Sequence, residues 1–77
     1  MAKHERWVVL SRPNRRTDWE LVIICEHGQQ QAVGSALDMA DQEVLLGGRD
    51  QFAILSLSAY DAGQWKRARL VKPSVGG

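Results

Sequence analysis

The sequence predicts an α+β domain of order ββαββ: a four-stranded, mostly antiparallel sheet carrying one helix on one face. Three observations predict it. Two apolar, β-branched runs are separated by a Pro-Asn turn. A run of apolar residues at helical spacing follows and ends at Gly47-Gly48. Two further alternating runs complete the chain.

The first strand is "RWVVLS" (6–11), ended by Pro13 and Asn14. "PNRRTD" (13–18) is a turn, because Pro and Asn favour its dihedrals. "WELVIICE" (19–26) is the strongest strand signal. Strict alternation places Leu21, Ile23 and Cys25 on one face and Val22 and Ile24 on the other. These two strands make a hairpin. Ala32, Val33, Ala36, Leu37 and Ala40 then recur with helical period, which predicts a helix over about 29–42 with Gly28 as N-cap. Gly34 inside it suggests a close approach of helix to sheet. "EVLL" (43–46) fits either a last helical turn or a short extended piece. "QFAILSLSAY" (51–60) reads as a third strand and "DAG" (61–63) as a tight turn. "QWKRARLVK" (64–72) reads as a fourth strand, with Trp65, Arg67 and Arg69 on one face and Ala68 and Leu70 on the other. A helix over 61–71 is the alternative, since Lys, Arg, Ala and Leu are good helix formers.

At 77 residues the chain is a single domain, 1–77, with flexible ends expected at 1–5 and 73–77. A domain this small has a small core and often needs a staple. Cys25 is the sole cysteine, so no internal disulfide forms, and no His/Cys cluster points to zinc. A lone cysteine and the lack of an apolar run of about 20 residues suggest a soluble cytoplasmic protein. The first three strands are apolar on both faces, where a water-facing antiparallel sheet would alternate. A homodimer through the second sheet face, or a partner protein, would cover it.

Catalysis finds little support. Cys25 and His27 share a strand face, but such neighbours stand about 7 Å apart, beyond the reach of a Cys–His nucleophile pair. Cys25 reads as core. Gly47-Gly48-Arg49 has neither the spacing nor the Lys-Ser/Thr of a phosphate-binding loop. No cofactor is expected.

Charge is more informative. The net charge is +1, but it is unevenly distributed. Residues 1–16 carry net +4 and residues 64–77 another +4, whereas residues 17–63 carry eight acids against Arg49. The basic segments supply candidate partner-binding residues: Arg12, Arg15, Arg16, Trp65, Lys66, Arg67 and Arg69. Trp and Arg are the usual anchors of protein interfaces. The same set could neutralise phosphates and stack a base, so direct nucleic-acid contact is an alternative. Asp38, Asp41 and Glu43 form an acidic helix face, making the domain dipolar.

Two resemblances add expectations. "DAGQWKRARLVKPSVGG" resembles the C-terminal end of the β-grasp sulfur carriers and ubiquitin-like proteins, with Pro73, Val75, Gly76 and Gly77 at matching places. That resemblance, over some 17 residues, implies a Gly77 carboxylate that becomes an acyl-adenylate and then a thiocarboxylate. In style, the small ββαββ layout without a catalytic set is similar to the inhibitors encoded by phages and mobile elements, such as anti-CRISPR proteins. It implies a non-enzymatic protein that occludes a surface of a protein or nucleoprotein complex.

Overall fold

A computed structural model describes residues 5–74. Its order is β1 (Trp7–Arg12), β2 (Glu20–Cys25), α1 (Gln29–Leu45), β3 (Gln51–Ser56), α2 (Leu57–Asp61), a 3-10 turn (Trp65–Arg67) and β4 (Arg69–Val71). The sheet order is β2-β1-β3-β4, with every neighbouring pair antiparallel. The fold is therefore α+β, with the four-stranded sheet and main helix that the sequence predicts. Because β2 and β3 both run opposite to β1, they are parallel to each other. The chain must return across the sheet between them. α1, with 17 residues and so about 25 Å long, makes that return.

Local chemistry sets the ends of α1. Gly28 is its N-cap at φ 97°, a conformation that side chains resist. Gln31 reaches back to accept the His27 N–H at 3.0 Å. At the other end the Gly48 N–H donates to the Glu43 carbonyl at 2.8 Å, and the Gly47 N–H to Val44 at 3.0 Å, with Gly47 at φ 77°. This is a Schellman stop. It makes "EVLL" helical through Leu45, three residues past the expected end. Gly34 has a different role from the one expected: a Cβ there would meet nothing within 4 Å, so it permits no close approach.

The core has two layers. Val9, Cys25, Phe52 and Ile54 meet Ala32, Ala36 and Ala40 of α1, with Trp7, Met39 and Val71 packed around them. On the other face Val8, Leu10 and Leu55 meet Ala59 of α2, flanked by Trp19, Leu57, Tyr60 and Ala68. β1 thus buries successive residues on opposite faces, which explains its unbroken apolar run. Cys25 is core, as its place in the strand predicts, and His27 is exposed in the bend beyond it.

Three expectations about the strands need correction. The third strand ends at Ser56, not Tyr60. Ser56 instead caps α2, accepting the Ala59 N–H at 3.3 Å. Leu55-Ser56-Leu57-Ser58 fits a strand by alternation, but burying Ala59 against Val8 and Leu10 requires the helical turn. The fourth strand shrinks to Arg69–Val71, preceded by the 3-10 turn, so both proposed states of 61–71 occur in part. In β2 a bulge between Leu21 and Ile23 pairs Leu21 with Leu10 and Ile23 with Val9. Leu21 and Cys25 therefore lie on opposite faces, because a bulge shifts the alternation by one residue.

Candidate functional site: a basic groove with two tryptophans

The hairpin tip is built locally. Asn14 Oδ1 accepts the Arg16 N–H at 2.8 Å and the Thr17 hydroxyl at 3.2 Å. This Asx turn fixes the backbone from which Arg15 and Arg16 project. From the far end of the chain, the Gly63 turn at φ 73° leads into the 3-10 turn, which sets Trp65 and Lys66. The Trp65 ring meets Tyr60 edge-on, with centroids 4.9 Å apart. Pairing of β4 with β3 then brings this segment beside the hairpin tip.

Between them lies an open groove of about 560 Å³, lined by Arg12, Arg15, Arg16, Trp19, Trp65 and Lys66, with Asp18, Ala68 and Leu70 also in its wall. Arg12 has a structural task. Its Nε donates to Gln51 Oε1 at 2.8 Å, and its guanidinium carbon sits 4.0 Å from the Trp19 ring centroid. Stacking of this kind holds the indole in place. Arg15, Arg16 and Lys66 are exposed and form no ion pair among the described residues. Their charge is available to an incoming anion.

The tertiary structure gathers Arg12, Arg15, Arg16, Trp65 and Lys66 but leaves two candidates out. Arg67 donates to Gln64 Oε1 at 3.2 Å within its own turn. Arg69 pairs with Ile54, whose side chain belongs to the helix-side core, so it lies on the opposite sheet face from Leu70. Trp65, Arg67 and Arg69 do not share a strand face, because Trp65 and Arg67 are not in a strand. Sequence reasoning also missed Trp19. Its signal was its even spacing from Leu21 at the start of β2, next to the basic turn.

The acidic helix residues are on the other side of the sheet. Asp38 is exposed there. Asp41 accepts the Ser74 N–H at 2.7 Å and the Ser74 hydroxyl at 2.8 Å. Glu43 accepts the Asp50 N–H at 3.1 Å. Asp41 therefore ties the segment after β4 to α1, and Glu43 holds the turn that follows α1, rather than the two forming a purely solvated face. Gly76 and Gly77, the candidate carrier tail, lie outside the described residues. Among the described residues no group of three His, Cys, Asp or Glu side chains could hold a metal, and no helix is long and apolar enough to cross a membrane.

Comparison of the chain with family models, with curated proteins and with solved structures finds no match.

Proposed function

We propose that this chain is a non-enzymatic binding protein whose basic, tryptophan-lined groove covers an acidic surface of a protein or nucleoprotein partner. The observation that carries this reading is the convergence of Arg15, Arg16 and Lys66, exposed and without an ion pair among the described residues, with Trp19 and Trp65 on the sheet face opposite α1. Two indoles supply rigid contact area, and the cations steer an anionic partner into register. Occlusion of this kind is how a small phage or mobile-element inhibitor in the cytoplasm would act, stoichiometrically and without turnover. The test is cross-linked pull-down from the native host with wild type and an Arg15→Glu, Lys66→Glu variant. Loss of the partner at an unchanged melting temperature supports the reading; full retention refutes it.

One observation favours a second reading, direct binding of single-stranded nucleic acid. The sheet separates the acidic helix from the groove, so those carboxylates do not line a phosphate path there. Tryptophan quenching by an oligonucleotide that weakens steeply with added salt would support it. The carrier reading of the tail has its own check. Deleting Gly77 would remove a thiocarboxylate mass shift from protein isolated beside its adenylating enzyme; if wild type shows no such shift, that reading fails.

A further inference from the structure

β4 is a shared wall. Leu70 lines both the basic groove and a second hollow, of about 260 Å³, where α1 ends; Ala40, Val44, Phe52, Val71 and Pro73 also line the latter. The strand is lightly built. It has three residues, paired with Phe52, Ala53 and Ile54, and it stands at one end of the sheet among the described residues. Arg69 is exposed and Leu70 is 46% exposed, so Val71 is the residue of β4 that packs on the core. Segments with so little buried apolar surface belong to the low-stability end of a fold.

The two ends of β4 are held by different means. Before the strand, Ala68 packs with the groove-side core and donates its N–H to the Trp65 carbonyl at 3.0 Å. Trp65 is fixed on α2: its ring meets Tyr60, and the neighbouring Gln64 N–H donates to the Ala59 carbonyl at 2.8 Å. After the strand, both carboxylate oxygens of Asp41 are engaged. Oδ1 accepts the Ser74 N–H at 2.7 Å and Oδ2 accepts the Ser74 hydroxyl at 2.8 Å. Charge-assisted bonds of this length are among the stronger ones. Ser74 is nonetheless exposed, so water can take its place. Pro73 limits the conformations open to the chain just before the clasp, which favours reclosure. One end of β4 is thus core, and the other is a polar clasp.

We propose that residues 69–74 form a strap, hinged at Ala68 and latched by Asp41, that opens as a unit while the rest of the fold stays closed. Opening takes Leu70 out of the groove wall and unpairs Phe52. It leaves Trp19, Trp65 and Lys66 in place. The groove therefore has one fixed side and one movable side, whatever it binds.

Native-state amide hydrogen exchange of the whole chain, read by NMR, tests this. Asp41→Ala should speed exchange in the β3–β4 ladder about tenfold, and Ser74→Ala, which removes only the hydroxyl, about threefold. The β1–β2 and β1–β3 ladders should keep their wild-type rates. Asp38→Ala, which removes an exposed acid from the same helix, should alter no ladder, and Ser74→Thr should match wild type. In Asp41→Ala the Leu70 methyl signals should shift and the Trp65 indole N–H signal should not. Equal acceleration of all three ladders, an unchanged β3–β4 ladder, or a Trp65 signal that moves with Leu70 overturns the proposal.

Discussion

The two faces of the sheet solve the same problem by different means. On one, a 17-residue helix lays three alanines on the strands and closes the layer with a single regular element. On the other, a five-residue helix, one indole from the hairpin end and Ala68, just after the 3-10 turn, cover Val8, Leu10 and Leu55 piece by piece. The regular face leaves a hollow of about 260 Å³ where the end of α1 meets β3 and β4, lined by Ala40, Val44, Phe52 and Val71. The piecemeal face leaves gaps between its parts, and one of them, of about 560 Å³, is the basic groove. A candidate site thus arises where the covering is irregular, as is common for loops held on a rigid scaffold.

Cavity substitutions test whether both faces are true core. Ile54→Ala on the helix side and Leu10→Ala on the groove side should each cost about 2–5 kcal/mol, read from urea unfolding. A much smaller cost for Leu10 would show that the piecemeal face is only a skin. Overpacking should distinguish the faces next. Ala36→Leu wedges α1 off the sheet and should cost about 1–3 kcal/mol, whereas Ala59→Leu should cost less, since the short α2 can shift outward. Equal penalties would break the distinction. Ser56→Ala removes the α2 cap and should cost about 1 kcal/mol; Ser56→Thr should restore most of it. Gly34→Ala works in the opposite direction. With open space at the Cβ position, it should raise stability by about 0.4–1 kcal/mol, measured as an upward shift in Tm. Smallest of all, Arg15→Ala with Lys66→Ala should leave stability within about 0.5 kcal/mol while weakening partner binding.

The legible parts of this molecule are those with local causes. The Pro13-Asn14 turn, the Ala32-Ala36-Ala40 stripe and the Gly28 and Gly47-Gly48 punctuation each act within a few residues, and each is where the sequence placed it. Residues 57–61 were misread because Leu55-Ser56-Leu57-Ser58 satisfies two periodicities at once. Only contact with Val8 and Leu10 chooses between them. Trp19 was overlooked as a groove residue because its stacking partner, Arg12, is visible only once the hairpin is closed.

The sequence by itself determined the α+β class, the hairpin, the main helix with both its stops, and the two basic segments. Dihedral preferences and apolar periodicity are short-range, so a reader of the chain can apply them. The tertiary structure alone decided that Arg12, Arg15, Arg16 and Trp19 face Trp65 and Lys66, that Arg67 and Arg69 do not, and that β2 stands at one end of the sheet among the described residues. Those outcomes depend on β1 pairing with β3 and β3 with β4. The first joins residues 39 to 49 positions apart and the second residues 15 to 19 apart, and no local preference encodes them.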